Sequence, residues 1–164
     1  MIREARTTND LRQVARLAVP IWHEAFADII SQAQIDYMIE RFQSFEAITD
    51  QVNNQGYRYF LCLLDDREVG YCGVQPQADG TLYLSKMYLL SEARRHGLFT
   101  EMTDHLRELC RKEGLSSIWL TVNRHNDHAI AAYMKNGFTI IREQVTDIGQ
   151  GFVMDDYVFS LDVG

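Results

Sequence analysis

The densest run of chemistry-bearing residues is Arg94-Arg95-His96-Gly97-Leu98-Phe99-Thr100. An apolar run ending near Leu90 and a short loop, Ser91-Glu92-Ala93, lead into it. Leu98, Met102, Leu106 and Leu109 then follow at helical spacing, so the order is strand, loop, helix mouth. The first N–H groups of a helix have no partner inside it, and the helix dipole places roughly half a positive charge there. With Arg94, Arg95 and His96 beside them, these groups suit a phosphate. The same pattern describes an ordinary solvated helix start, and spacing alone does not separate the two. Two common phosphate loops are excluded. No G-x-x-x-x-G-K-[ST] string occurs, and one glycine stands where a dinucleotide fingerprint needs three.

The remaining reactive types are scattered. His23, His96, His105, His125 and His128 form no H-E-x-x-H string, and Cys62, Cys72 and Cys110 form no C-x-x-C pair. No metal site is therefore expected, and the cysteines read as buried structural thiols. Asn126 stands before a short apolar-periodic segment and reads as a helix N-cap. On its spacing alone, Tyr133 is a packing residue of that segment.

Several elements must position these groups. Residues 2–6 suit a first strand, and Thr7 and Thr8 offer helix caps. Leu11, Val14, Ala18, Ile21, Trp22 and Phe26 then mark one helical face, with a break or kink expected at Pro20. Ser31 and Ser44 start two shorter helices that end at Asn53-Asn54-Gln55-Gly56. Three strands follow at 57–64, 68–75 and 81–90, the first two joined by a tight turn at Asp65-Asp66. A helix over 97–113, a buried strand over 117–122, a short helix from Asn126 to Gly137 and strands at 138–146 and 152–161 complete the chain. The fold class is α/β, a single-domain mixed β-sheet flanked by helices.

The segment L-Y-L-S-K-M-Y-L-L-S-E-A-R-R-H-G-L-F resembles motif A of the GNAT superfamily of N-acetyltransferases, whose ending [QR]-x-x-G-x-[GA] is matched by Arg94 and Gly97. Val122 to Phe138, V-N-R-H-N-D-H-A-I-A-A-Y-M-K-N-G-F, is similar to the superfamily's second signature. The likeness is specific over 57–139 and looser over 1–56, and its nearest branch contains polyamine N-acetyltransferases. It implies the acyl-CoA N-acyltransferase fold, with acetyl-CoA as co-substrate. The strand at 83–90 would splay from the one at 117–122, aided by a bulge, and backbone groups of Met87, Tyr88 and Leu89 would pair with the pantetheine arm. The pyrophosphate would rest on the N–H groups of Arg95, His96, Gly97, Leu98, Phe99 and Thr100, with Arg94 beside them and Asn126 also at the cofactor. Tyr133 falls where the family places its general acid, which would protonate a CoA thiolate whose conjugate thiol has a pKa of about 8.5.

Two departures bear on the geometry. Phe99 occupies the motif's second small position, so its ring must enter the core or crowd the pyrophosphate, and Arg95 replaces a common glycine. Ser85 stands where polyamine-acetylating relatives often carry glutamate, which leaves the general base open. A water on Ser85 and Tyr83 is one candidate. A carboxylate among Glu24, Asp28, Asp155 and Asp156 is another. Trp22, Phe26 and Tyr37 are candidate walls for the acceptor, although each also suits a plain core stripe.

Composition narrows the functional class. With 46% apolar and 24% charged residues in 164, the chain can form one full core without disulfide or metal. Residues 1–56 read as the acceptor side, 57–139 as the acetyl-CoA core and 140–164 as terminal strands. A net charge of −7 argues against nucleic-acid or anionic-membrane partners. No apolar run spans a bilayer and no leader is evident, so a cytoplasmic protein is expected. The expected activity is acetyl transfer to a primary amine of a small molecule, polyamine-like or other. A non-catalytic acyl-CoA-binding module and a protein or peptide N-acetyltransferase are the alternatives. The resemblance also leaves a homodimer open, paired through the last two strands.

Overall fold

A computed structural model describes the whole chain, Met1–Gly164. The elements run β1 (Ile2–Ala5), α1 (Thr8–Phe26), α2 (Gln32–Met38), a π-helical turn (Ile39–Gln43), α3 (Phe45–Asn54), β2 (Arg58–Leu64), β3 (Arg67–Pro76) and β4 (Leu82–Leu89). They continue with a 3₁₀ turn (Ser91–Ala93), α4 (Leu98–Glu113), β5 (Ser117–Asn123), α5 (Asp127–Lys135), β6 (Thr139–Gly149) and β7 (Phe152–Asp162). The seven strands form one sheet in the order β1-β2-β3-β4-β5-β7-β6. Every pairing is antiparallel except β4 with β5.

Each face of the sheet buries a separate core. Helices α4 and α5 cover one face, where Met102, Leu106 and Cys110 meet Leu82, Leu84, Ile118 and Phe159. The N-terminal helices cover the other, where Val14, Ile21, Trp22, Ile35 and Ile48 meet Tyr59, Leu61 and Tyr71. All three cysteines are free and buried.

Local chemistry sets the boundaries. Asp65 and Asp66 both lie in the left-handed region, with φ of 52° and 63°, as the tight β2–β3 hairpin turn requires. Ser31 and Ser44 cap α2 and α3 by accepting from the N–H groups of Gln34 and Ala47. Of the break or kink expected at Pro20, the break is absent, and α1 runs through it as one 19-residue helix. Proline inside a helix costs about 3 kcal/mol. Beyond it, Ile21, Trp22 and Phe26 are at most 5% exposed, and each buried side chain of this size returns roughly 1.5–3 kcal/mol. Packing therefore outweighs the local penalty.

Candidate active site

The parallel pair β4–β5 is joined at only two registered positions, Leu82↔Ile118 and Tyr83↔Trp119. Beyond them the strands separate, although both continue. On its other edge β4 stays paired with β3 through Met87, Tyr88 and Leu89. Those three residues therefore turn unpaired backbone toward the split, and the expected splay is present. The expected bulge lies on the same strand. Gly73 pairs with Lys86 and Val74 with Leu84, which leaves Ser85 as the extra residue. Strict alternation would place Lys86 with Leu82 and Leu84 against α4. The bulge advances the phase by one, so Met87 takes that side and Ser85, Lys86 and Tyr88 face the N-terminal helices.

At the far end of the split, the chain turns through Arg94 and Arg95 into α4. Arg95 holds φ 68° and Gly97, the N-cap, holds φ 73°. A side chain in this left-handed region costs roughly 1–2 kcal/mol, a cost that glycine would avoid. No side chain caps α4, so the N–H groups of its first turn remain available to a ligand. The loop's own acid, Glu92, is engaged by Arg67. Arg94 and Arg95 lie near His128 of α5, whose pKa is lowered first by burial and then by these two cations. This end of the split is a concentrated positive site. His96, Gly97 and Thr100 are exposed there, whereas Leu98 is a core residue.

Phe99 does not obstruct the loop. Its ring packs edge-on against Tyr133 at 5.0 Å, beside the core. Tyr133 is 6% exposed and also packs against Phe138 and Phe159. Burial pushes its phenol well above the ordinary value, so it remains a protonated donor across the physiological range. Asn126 accepts from Ala129 N–H and caps α5, the local reading given by its sequence position.

A cavity of about 380 Å³ opens on the opposite face, between the N-terminal helices and strands β4 to β7. Its walls include Trp22, Tyr57, Tyr83, Tyr88 and Trp119. Of the three proposed walls, Trp22 is in place. Phe26 packs tilted against Trp22 at 4.5 Å, and Tyr37 donates instead to Ile148 O and packs on Phe152. Lys86 is 5% exposed, and its Nζ donates to Phe42 O, Gln51 Oε1 and Tyr59 Oη, which uses all three donors. Burial lowers its pKa to about 7. Gln51 Nε2 also donates to Phe42 O, and Tyr71 Oη donates to Gln43, so the π-helical turn is tied down onto the sheet.

The sheet positions one carboxylate of special character in this cavity. Asp156 is 2% exposed, and its Oδ1 has no hydrogen-bond partner. Its pKa is raised to about 6, by burial first and then by Asp155, with the Thr121 hydroxyl opposing both. The other proposed bases are placed differently. Asp155 is paired with Arg124, Glu24 and Asp28 are exposed outside the cavity, and Ser85 Oγ accepts from Tyr57. The Tyr88 phenol links the two faces. Its pKa is raised by burial first, then by Tyr71, Tyr133, Tyr83 and Asp156. Sequence reasoning missed Lys86 and Arg142. A lone lysine inside the apolar run L-Y-L-S-K-M-Y-L was the available signal for the first.

This architecture is the acyl-CoA N-acyltransferase fold. The PaiA N-acetyltransferase of Thermoplasma acidophilum, solved in complex with coenzyme A, superposes with a TM-score of 0.81 at 21% identity, over 99% of this chain and 98% of that one. The ribosomal-protein-S18-alanine N-acetyltransferase of Escherichia coli gives 0.71 at 17% identity, over 100% and 95%. N-alpha-acetyltransferase 50 of Danio rerio is 39% identical over 61 residues, which cover 37% of this chain and about a third (36%) of that relative's length. The model of the acetyltransferase (GNAT) family matches residues 19–138. The chain belongs to that family.

Proposed function

We propose that this protein moves the acetyl group of acetyl-CoA onto a primary amine of a small molecule by direct attack of the amine. The observation that carries this reading is the split between β4 and β5, with unpaired backbone along one side and a cationic helix mouth at its end. Met87, Tyr88 and Leu89 would pair with the pantetheine arm. The N–H groups from Arg95 to Thr100, with Arg94 and Arg95, would hold the diphosphate. Bound there, acetyl-CoA supplies an activated thioester.

The chain's own residues supply proton control. An alkylammonium of pKa about 10.4 must lose a proton before it can attack, at a cost of about 4.6 kcal/mol at pH 7. Asp156 Oδ1, buried and unpartnered at the cavity wall, accepts that proton. As the new N–C bond forms and the S–C bond breaks, the Tyr133 hydroxyl donates to the departing sulfur. A peptide N-terminus is the second acceptor reading, favoured by the 39% identity to N-alpha-acetyltransferase 50.

Isothermal titration with acetyl-CoA tests the cofactor half, and absence of binding at millimolar concentration would remove it. Tyr133→Phe keeps the ring packing and deletes the donor. It is expected to lower turnover by about 10²-fold or more with cofactor affinity preserved. Unchanged turnover removes the role. Thiol release measured across polyamines, amino acids, aminoglycosides and peptides separates an enzyme from a binding module.

A further inference from the structure

The charged groups of the acceptor cavity divide into committed and uncommitted. Lys86 has given all three donors to protein acceptors. Two charges remain, Asp156 and Arg142, and they have opposite signs. They project from neighbouring strands. Asp156 pairs with Gln144 and Val158 with Arg142, which sets Arg142 diagonal to Asp156, at about 7–8 Å by ordinary sheet geometry. They do not form an ion pair. Asp156 Oδ1 is an orphan, while the competing cation Arg124 takes Glu143 and Asp155. A buried carboxylate with one oxygen left unpaired is costly to keep beside a free guanidinium unless something is meant to lie between them. Asp156 is buried and Arg142 is exposed, so the order from floor to mouth is acid, then base.

We infer that the acceptor is a small zwitterion, an amine with a carboxylate a few bonds away and an apolar, ring-sized body. The ammonium meets Asp156, the carboxylate meets Arg142, and the body lies against the rings of Trp22, Tyr57, Tyr83 and Trp119. A free amino acid with a large apolar side chain has this chemistry. A polyamine does not, because its second ammonium would face Arg142 with no carboxylate to receive it. This inference rests on the acetyl-transfer reading for its biological meaning, but recognition can be measured without chemistry.

The test uses matched pairs that differ only by the carboxylate: phenylalanine against phenethylamine, tyrosine against tyramine, and leucine against isoamylamine. Each is titrated calorimetrically into the full chain saturated with CoA, which cannot transfer an acetyl group. The amino acids are expected to bind at least about 10-fold tighter than their amines. Arg142→Gln, at an exposed position, should erase that difference, and Asp156→Asn should weaken both members of each pair. Arg142→Glu should reverse the preference, so that the amine of each pair binds tighter than its amino acid. Equal affinity within pairs, a preference intact in Arg142→Gln, tighter binding of spermidine or of a short peptide, or no binding by any probe each overturns the inference. Amino-acid binding without thiol release from acetyl-CoA would sink the catalytic reading and leave the recognition standing.

Discussion

At the scale of single residues, Asp156 carries opposing consequences for activity and stability. Its folded pKa, about 6, lies above the ordinary 3.8. The native state therefore binds more protons than the unfolded state between these values, and stability falls as pH rises through that window. Its favourable share is complete below about 3.8 and lost above about 6. A base must be ionised to act, so turnover should rise through about pH 6 while that share of stability disappears. Asp156→Asn is expected to cost about 10²–10⁴-fold in kcat/KM and to abolish the acid limb of the pH profile. The same variant should melt higher than the wild type at pH 7.5, with the difference narrowing toward pH 4.5. An unshifted acid limb, or a lower melting temperature at pH 7.5, would assign the proton to another group. The sequence placed Asp156 among four carboxylates with nothing to separate them. What distinguishes it is burial and a missing partner, both products of tertiary contact with β5 and β6. Arg94 and Gly97 were legible because a helix mouth is local.

At the scale of elements, the bulge at Ser85 makes the site. It turns Lys86 away from the α4 core and toward Phe42, Gln51 and Tyr59. The partner strand accommodates this with Gly73, where a Cβ would lie 2.7 Å from the Tyr59 ring. Gly73→Ala should therefore destabilise the protein by about 1–3 kcal/mol through overpacking. For a chain of this size that lowers the melting temperature by roughly 2–12 °C. The Tyr59→Leu change made in the same background should show favourable coupling, because the obstructing ring is gone even though its hydroxyl contacts are lost too. Purely additive losses would mean that the close approach is relieved elsewhere. Element types and their order were readable throughout, since apolar periodicity dominates in α1, α4 and β2 to β5. The phase of β4 was not. An alternating pattern fixes a face only when no residue is inserted, and the insertion is visible only against β3. Pro20 shows the converse, a strong local signal overruled by side chains buried on the far side of it.

At the scale of the whole molecule, the two cores meet across a sheet that is joined at its centre by only two registered pairs. β1 to β4 lie on one side of that seam, and β5, β7 and β6 on the other. A ligand that pairs with β4 and rests on α4 spans the seam and binds only the folded chain, so it must stabilise the whole by mass action. At a concentration 100 times its Kd the gain is about 2.7 kcal/mol. Each kcal/mol is worth roughly 2–4 °C in a domain of this length, so acetyl-CoA should raise the melting temperature by about 5–11 °C. The diphosphate contribution is separable. The protein as a whole carries a net charge of −7, which disfavours anions, and the Arg94–Arg95 loop counters this locally. The shift should therefore shrink on raising salt from 0.05 to 0.5 M, and Arg94→Gln combined with Arg95→Gln should remove most of that salt dependence. Dephospho-pantetheine fragments lacking the nucleotide should show little dependence on salt in either protein. A shift that ignores both salt and the two arginines would mean that the diphosphate lies away from α4, and the assignment of the helix mouth would fall with it.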